Sequence, residues 1–331
     1  MPENPPITQS ASPVPANPVW DVLSGQGVQQ EIQALEAREQ EEELDAQQEF
    51  NRLQANPNQL RLWLMAFIAV PMLAVVAEIG THGEFPQNLL MLSFLPLFLY
   101  YIHFSVRANM LVKETIARQK GWIYSSVQDS ARWVDLAAVY PTIFNKGDNS
   151  QNVSDEFWGS VALSNQAVPF WMSNFTYSIG SGKNRETYYY SVYAFPLPKV
   201  VGSNFQLEPR SSLGAELGQL FSGQAIKTEW VDFNKAFVIE YNGLRSQDGP
   251  QIFETLNPII QEKIMALHQG IGDFSLIFTG AVMIVQLHTQ IKPVYTNLMW
   301  KMAIDPRDIT MIEDRLQKIL SLGADIVPYI N

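Results

Sequence analysis

The sequence predicts an α+β fold in two parts: a two-span transmembrane helical hairpin, then a mixed, mainly antiparallel sheet domain with a few helices. Three observations carry this prediction. Two apolar runs, Leu62 to Ile79 and Leu89 to Phe104, are separated only by the polar break from Gly80 to Asn88. The stretch from Pro169 to Pro196 alternates aromatic and β-branched residues around a Gly-rich turn, which is the pattern of a β-hairpin. Helix-period segments with caps appear only later, after Asn257 and around Thr310. Strands grouped before and between a few helices read as α+β.

Residues 1–18 are dense in Pro and Ser with few large apolar side chains, so they cannot bury enough surface to offset their ordering entropy. A disordered tail is expected. No charged segment leads there into an apolar core, so a cleaved signal peptide is not expected and the first span serves as the insertion signal. From 19 to 57 the composition turns to Glu, Gln and Ala, with the acidic run Glu39 to Asp45. These are helix formers. Ile32, Leu35, Leu44, Phe50 and Leu53 give apolar points without a clean heptad, so the reading is a solvated acidic helical arm, with an interaction arm or a short coiled coil as the alternatives. Residues 1–57 hold 10 acidic and 2 basic side chains, a net of −8 within a chain total of −11. The acidity is local.

Residues 58–106 form the predicted transmembrane hairpin. Crossing a bilayer core takes roughly 20 helical residues, which each run reaches with its flanks. A soluble core helix keeps a polar stripe, and these runs keep almost none. Pro71 and Pro96 predict kinks, which membrane helices accommodate. Arg52 and Arg61 precede the first span, Arg107, Lys113, Arg118 and Lys120 follow the second, and the connecting loop has neither Lys nor Arg. The positive-inside rule then places both termini in the cytoplasm at an inner cell membrane. Arg61, Glu78, His103, Arg107 and Lys113 are the membrane-interface candidates. Residues 107–120, with four basic and one acidic side chain, make a basic juxtamembrane stalk able to attract anionic headgroups.

Residues 121–331 are enough for one sizeable cytoplasmic α+β domain. Strands are expected at Trp122–Tyr124, Leu136–Tyr140 and Phe157–Leu163, in the hairpin 169–196, and once or twice within Ala225–Tyr241. Asn257-Pro258 caps a helix that Gly270 ends. A second hairpin, Phe274–Phe278 and Ala281–Leu287, turns at Thr279-Gly280. The last helix opens on a capping box, Thr310-x-x-Glu313, and stops at Gly323. Core packing is the favoured role of the aromatic crowd in the first hairpin. The alternative is a ligand-facing surface built from Trp171, Tyr177, Tyr188 and Tyr190.

Recognisable chemistry is sparse. The absence of Cys removes thiol catalysis and Cys-ligated metal sites. Gly180-Ser-Gly-Lys183 is not a phosphate loop, because Asn184 follows the Lys and Tyr177 stands where the first Gly is needed. Of four His, only His268 and His288, with Asp273, offer a metal grouping, and it is not favoured. Asp305, Asp308, Glu313 and Asp314 read as charges suited to a helix start. Residues 121–331 carry 15 basic and 20 acidic groups, net −5, without a basic stripe, so nucleic acid is not an expected partner. No cofactor is expected.

The order of parts is similar to a family of bacterial membrane proteins known as domain of unknown function 3137. The likeness rests on the two spans, the basic stalk leading into Gly-Trp-Ile-Tyr-Ser at 121–125, the segment from Phe233 to Leu267, and the hairpin Phe274 to Leu287. It covers roughly Leu60 to Leu287. The resemblance implies a membrane-anchored cytosolic domain and brings no catalytic residues. The expected function is a membrane-anchored scaffold or binding module with a protein partner at the inner leaflet, a second copy of the chain being one candidate partner. The alternatives are a membrane-anchored enzyme with a carboxylate-based site and, third, a transporter or channel subunit.

Overall fold

The computed structural model describes Val76 and residues 110–126, 134, 136–138, 140–147, 149–163, 166–210, 226–241, 249–287 and 306–330. The tail, the acidic arm and both apolar runs, Val76 excepted, lie outside the described residues, as do Arg61, Glu78, His103 and Arg107. Among the described residues no helix is long and apolar enough to cross a membrane. The described residues fall into two compact units, one within Gly121–Ile291 and Asp314–Asn331, the other within Gln29–Lys120 and Lys292–Glu313.

The first unit is built on an eight-stranded sheet: β1 (Ile123–Ser125), β2 (Asn149–Leu163), β3 (Gln166–Ile179), β4 (Glu186–Pro196), β5 (Phe205–Pro209), β6 (Phe237–Tyr241), β7 (Ser275–Thr279) and β8 (Val282–Leu287). Their order is β1-β2-β3-β4-β8-β7-β5-β6, and every described pair is antiparallel. The expected mainly antiparallel α+β fold is therefore present. The β3–β4 hairpin forms where the alternation places it, turning through a 3-10 segment at Gly182–Asn184. Gly180 and Gly182, at φ 81° and 58°, supply the left-handed conformations this turn requires.

Because directly opposed residues of antiparallel strands share a face, the register sorts the side chains into two cores. One face carries Trp171, Phe175, Tyr190, Val192, Ala194, Ile277 and Ile284, covered by Leu136, Tyr140, Ile143 and Phe144. Phe144 meets Phe175 edge-on at 5.0 Å. The other face carries Phe195, Met283, Phe278 and Phe205 in one row, with Phe205 and Phe278 stacked at 4.7 Å.

Of the helices, α1 spans 110–120. Then come α2 (Pro141–Phe144), α3 (Val231–Ala236), α4 (Gly249–Thr255), α5 (Pro258–Ile271) and α6 (Pro306–Ala324). Asn257 caps α5 as its sequence predicts, its side chain accepting from the Ile260 N–H at 3.1 Å. Ile260, Ile264 and Leu267 are buried. On α6, Leu316, Ile319 and Leu320 are buried, and Gly323 lies against the Phe195 ring. In the second unit α1 buries Leu111, Val112, Ile116 and Ala117, and Lys120 pairs with Glu313 at 2.7 Å.

Several expectations are corrected. Leu136–Tyr140 is not a strand: Leu136 to Ala138 are helical, the Tyr140 N–H donates to the Leu136 carbonyl at 2.7 Å, and Pro141 opens α2. The segment spends its apolar side chains on roofing the sheet rather than joining it. Within 225–241 only Phe237–Tyr241 is a strand, together with an isolated bridge from Ile226 to Ile239; Val231–Ala236 coils into α3. Helix α5 passes Gly270 and ends at Gly272, whose φ of 86° suits the terminating turn. Helix α6 begins at Pro306, so Thr310 lies inside it rather than at its start. The strand β5 and the helix α4 were not foreseen.

Candidate functional site

The face roofed by α2 changes character toward β5 and β6. Across β4, β8 and β7 the residues Val192, Gln286 and Ser275 stand directly opposite one another. The row continues to Glu208 on β5, whose Oε2 accepts from the Ser275 hydroxyl at 2.6 Å. Gln206, two residues earlier on the same face, donates its amide to Oε1 of Glu208. Both oxygens of the carboxylate thus already accept. Glu240 on β6, opposite Gln206, lies on this face too. Its carboxyl is held above the usual range by burial and then by the charge of Glu208.

Among the described residues, three buried side chains carry a polar atom without a hydrogen-bond partner, the hydroxyls of Tyr140 and Tyr193 and Nε2 of Gln286, which is 1% exposed. An unsatisfied buried amide donor costs about 1–3 kcal/mol. Buried donors are otherwise almost always paired.

A tyrosine ladder bounds this polar row. Tyr177 stacks on Tyr188 at 5.2 Å and on Tyr190 at 5.6 Å, with interplanar angles of 17° and 8°. The Tyr177 and Tyr190 hydroxyls hydrogen-bond at 3.2 Å. Burial, then the Tyr177 hydroxyl, then the charge of Glu208 push the Tyr190 hydroxyl well above its ordinary pKa. Tyr188 donates to Glu186 at 2.7 Å, which raises its pKa as well.

Lys146 follows α2 and reaches over the Tyr190 ring, its Nζ 5.8 Å from the centroid. Burial lowers its pKa, and the charge of Glu208 opposes that shift. The adjacent Gly147 lets the chain cross so closely. A Cβ there would sit 2.6 Å from Tyr177 Cδ2 and 2.9 Å from the Ser178 carbonyl oxygen. The Gly147 carbonyl is held by the Gln151 side-chain amide at 2.8 Å.

The four aromatic candidates divide. Tyr177, Tyr188 and Tyr190 come together as this ladder, whereas Trp171 is fully buried in the core and donates from Nε1 to the Glu156 carboxylate at 2.7 Å. Lys113, in α1, is 8% exposed. His268 approaches Asp273 at 3.7 Å, while His288 lies outside the described residues. Among the described residues no three His, Asp or Glu side chains gather as metal ligands.

Lys146, Glu208, Ser275 and Gln286 were not foreseen as site residues. The available signal was Gln286 itself, a polar residue within the apolar run Val282–Leu287. A cleft of about 360 Å³ lies elsewhere, lined by Ile271, Leu287 and Ile319 and by Asp273, Asp314, Arg315 and Lys318. Chemically, this face gathers two unpaired polar groups, the Gln286 amide and the Tyr140 hydroxyl, with one ammonium, a preorganised carboxylate and stacked tyrosines. That set is suited to holding a polar group.

No protein-family model matches the chain, and no curated protein matches it. Among solved structures, the chain is similar to the mycobacterial trehalose monomycolate transport factor A, TtfA, with 8% identity and a TM-score of 0.33, over 65% of this chain and 96% of that one.

Proposed function

We propose that the chain is a membrane-anchored binding module, held at the inner leaflet by the runs 62–79 and 89–104, with its sheet domain in the cytoplasm. The observation that carries the binding role is the unpaired Gln286 donor in a row with Ser275 and Glu208, beside stacked tyrosines and Lys146. A face built only for packing would put an apolar side chain there at lower cost. The anchor rests on the two apolar runs, and the orientation on the basic residues flanking them.

The test is protease accessibility of residues 121–331 in intact cells against inverted membrane vesicles, with a photocrosslinking residue at Tyr188, the half-buried member of the ladder. Cleavage confined to inverted vesicles, with a crosslinked cytoplasmic protein, is the expected outcome. Cleavage in intact cells overturns the orientation, and recovery of the chain without membranes overturns the anchor. One observation favours a second reading, an enzyme with a carboxylate site: Glu240, its pKa raised, shares a face with Glu208.

A further inference from the structure

We propose that the cleft between the end of α5 and the middle of α6 binds a small zwitterion with an apolar body, of the class of free branched-chain α-amino acids. The ligand carboxylate faces Arg315, its ammonium faces Asp314, and its side chain lies on Leu287 and Ile319. This site is separate from the tyrosine row and goes beyond the binding-module reading. Leu287 stands opposite Ser191 in the register, on the other face of the sheet from Gln286 and Val192.

Helix α6 lines one side of the cleft with Asp314, Arg315 and Lys318, and α5 supplies Gly270 and Ile271, with Asp273 just beyond its end. Residues three and four apart on a helix are neighbours, with Cβ atoms about 5–6 Å apart, so Lys318 sits one turn from both Arg315 and Asp314. Among the described residues none of these three forms an ion pair, although Asp314 and Lys318 have the spacing for one. Their charges are left to solvent or to a ligand. The α5 wall stands close to them: a Cβ at Gly270 would lie 3.5 Å from Cε of Lys318. Burial divides the lining by character. Leu287 and Ile319 are buried and Ile271 is half-buried, whereas Asp273, Asp314, Arg315 and Lys318 are exposed. The apolar side chains therefore lie deeper than the charges.

That distribution selects the ligand. A simple anion drawn to Arg315 and Lys318 also meets Asp273 and Asp314, and a simple cation meets the converse, so repulsion offsets attraction in each case. A molecule with one charge of each sign pairs with both sets. The planar guanidinium of Arg315 matches a carboxylate, and Lys318 adds a second cation one turn on. Asp314, next to Arg315 in the chain, accepts from an ammonium on the carbon beside that carboxylate. At about 360 Å³ the cleft is near the lower end of the roughly 300–1,000 Å³ usual for ligand pockets, which suits a molecule of amino-acid size.

The experiment uses the full chain in detergent with L-leucine as the probe. Leucine methyl ester lacks the carboxylate charge, N-acetyl-leucine lacks the ammonium, and glycine lacks the apolar body. Binding is read by saturation-transfer NMR titration. Leucine is expected to bind, the ester and the N-acetyl analogue roughly three- to fivefold more weakly, the effect of one exposed charge pair, and glycine about tenfold more weakly. Arg315→Met should weaken leucine roughly three- to fivefold and leave the methyl ester unchanged; Asp314→Asn should weaken leucine as much and leave N-acetyl-leucine unchanged. Both positions are exposed, so both variants should keep the wild-type thermal midpoint.

No binding of leucine by wild type overturns the proposal, as does unchanged leucine binding in both variants. N-acetyl-leucine binding as tightly as leucine overturns the zwitterion, and glycine binding as tightly as leucine overturns the role given to Leu287 and Ile319.

Discussion

Replacing Gly323 by Ala tests the seating of α6 on the sheet. A methyl built there would lie 2.7 Å from both Cε2 and Cζ of Phe195. Phe195 is fully buried in a row with Met283 and Phe278, so its ring has no room to retreat. Overpacking of this kind costs about 1–3 kcal/mol. The opposing gain, Ala over Gly within a helix, is at most about 1 kcal/mol and is smaller in a last turn. Packing wins, and Gly323→Ala is expected to destabilise by roughly 1–2 kcal/mol.

Gly270→Ala is the matched control. Its methyl would also meet an atom at 2.7 Å, but that atom is Cδ1 of half-buried Leu322, the far end of a flexible side chain. Rotation relieves the clash, so the change is expected to fall within about 0.5 kcal/mol of wild type. Urea unfolding of both variants and wild type in one detergent, followed by tryptophan fluorescence, makes the comparison. If Gly323→Ala matches or exceeds wild type, or if the two variants exchange rank, Phe195 does not hold α6 in the way described.

Three further expectations follow from other contacts. Trp171→Phe removes an Nε1 donor from the buried Glu156 carboxylate and should cost about 1.5–3 kcal/mol in the same unfolding assay; a loss under about 0.5 kcal/mol would show that this bond contributes nothing. Asn257→Ala leaves the Ile260 N–H without its cap and should cost about 1–2 kcal/mol, with faster amide exchange in the first turn of α5 as the local signature. Glu240, whose folded pKa is raised, contributes stability that is present below the ordinary carboxylate pKa of about 4.3 and is lost as pH rises through the folded value. Glu240→Gln should therefore raise the thermal midpoint at neutral pH and flatten its decline above about pH 4.3; an unchanged profile would mean that the carboxyl is not desolvated.

Legibility in the sequence followed the range of the physics involved. The β3–β4 hairpin, the β7–β8 hairpin and the cap of α5 are decided by residues close together in the chain, and all three were readable. Leu136–Tyr140 misled because a short apolar run has no period of its own. Pro141 and the roof position over Trp171 and Phe175 decided it. Strand β5 was hidden because Phe205–Pro209 is short and gains its partners from β6 and β7, about 30 and 70 residues away in register. The tyrosines were visible as a group, but not their division into a stacked ladder and a buried Trp171. The polar row could not be read, because Glu208, Ser275 and Gln286 come from three strands that only the register aligns, and Lys146 from the loop after α2.

The strand order also bears on how the sheet comes to be made. Strands β1 to β4 form a meander of neighbours, and β5 to β8 form a second local group. The two meet only along β4 and β8, through the six pairs from Ser191↔Leu287 to Pro196↔Val282. Closing that seam joins residues roughly 90 apart, which is slow in proportion to the loop that must be ordered first. On a ribosome the first meander emerges with the inner edge of β4 unpaired, and it stays so until β8 has been synthesised. During that interval β4 is an open template, so chaperone protection, or exchange of the later half between two nascent chains, would act at this one edge.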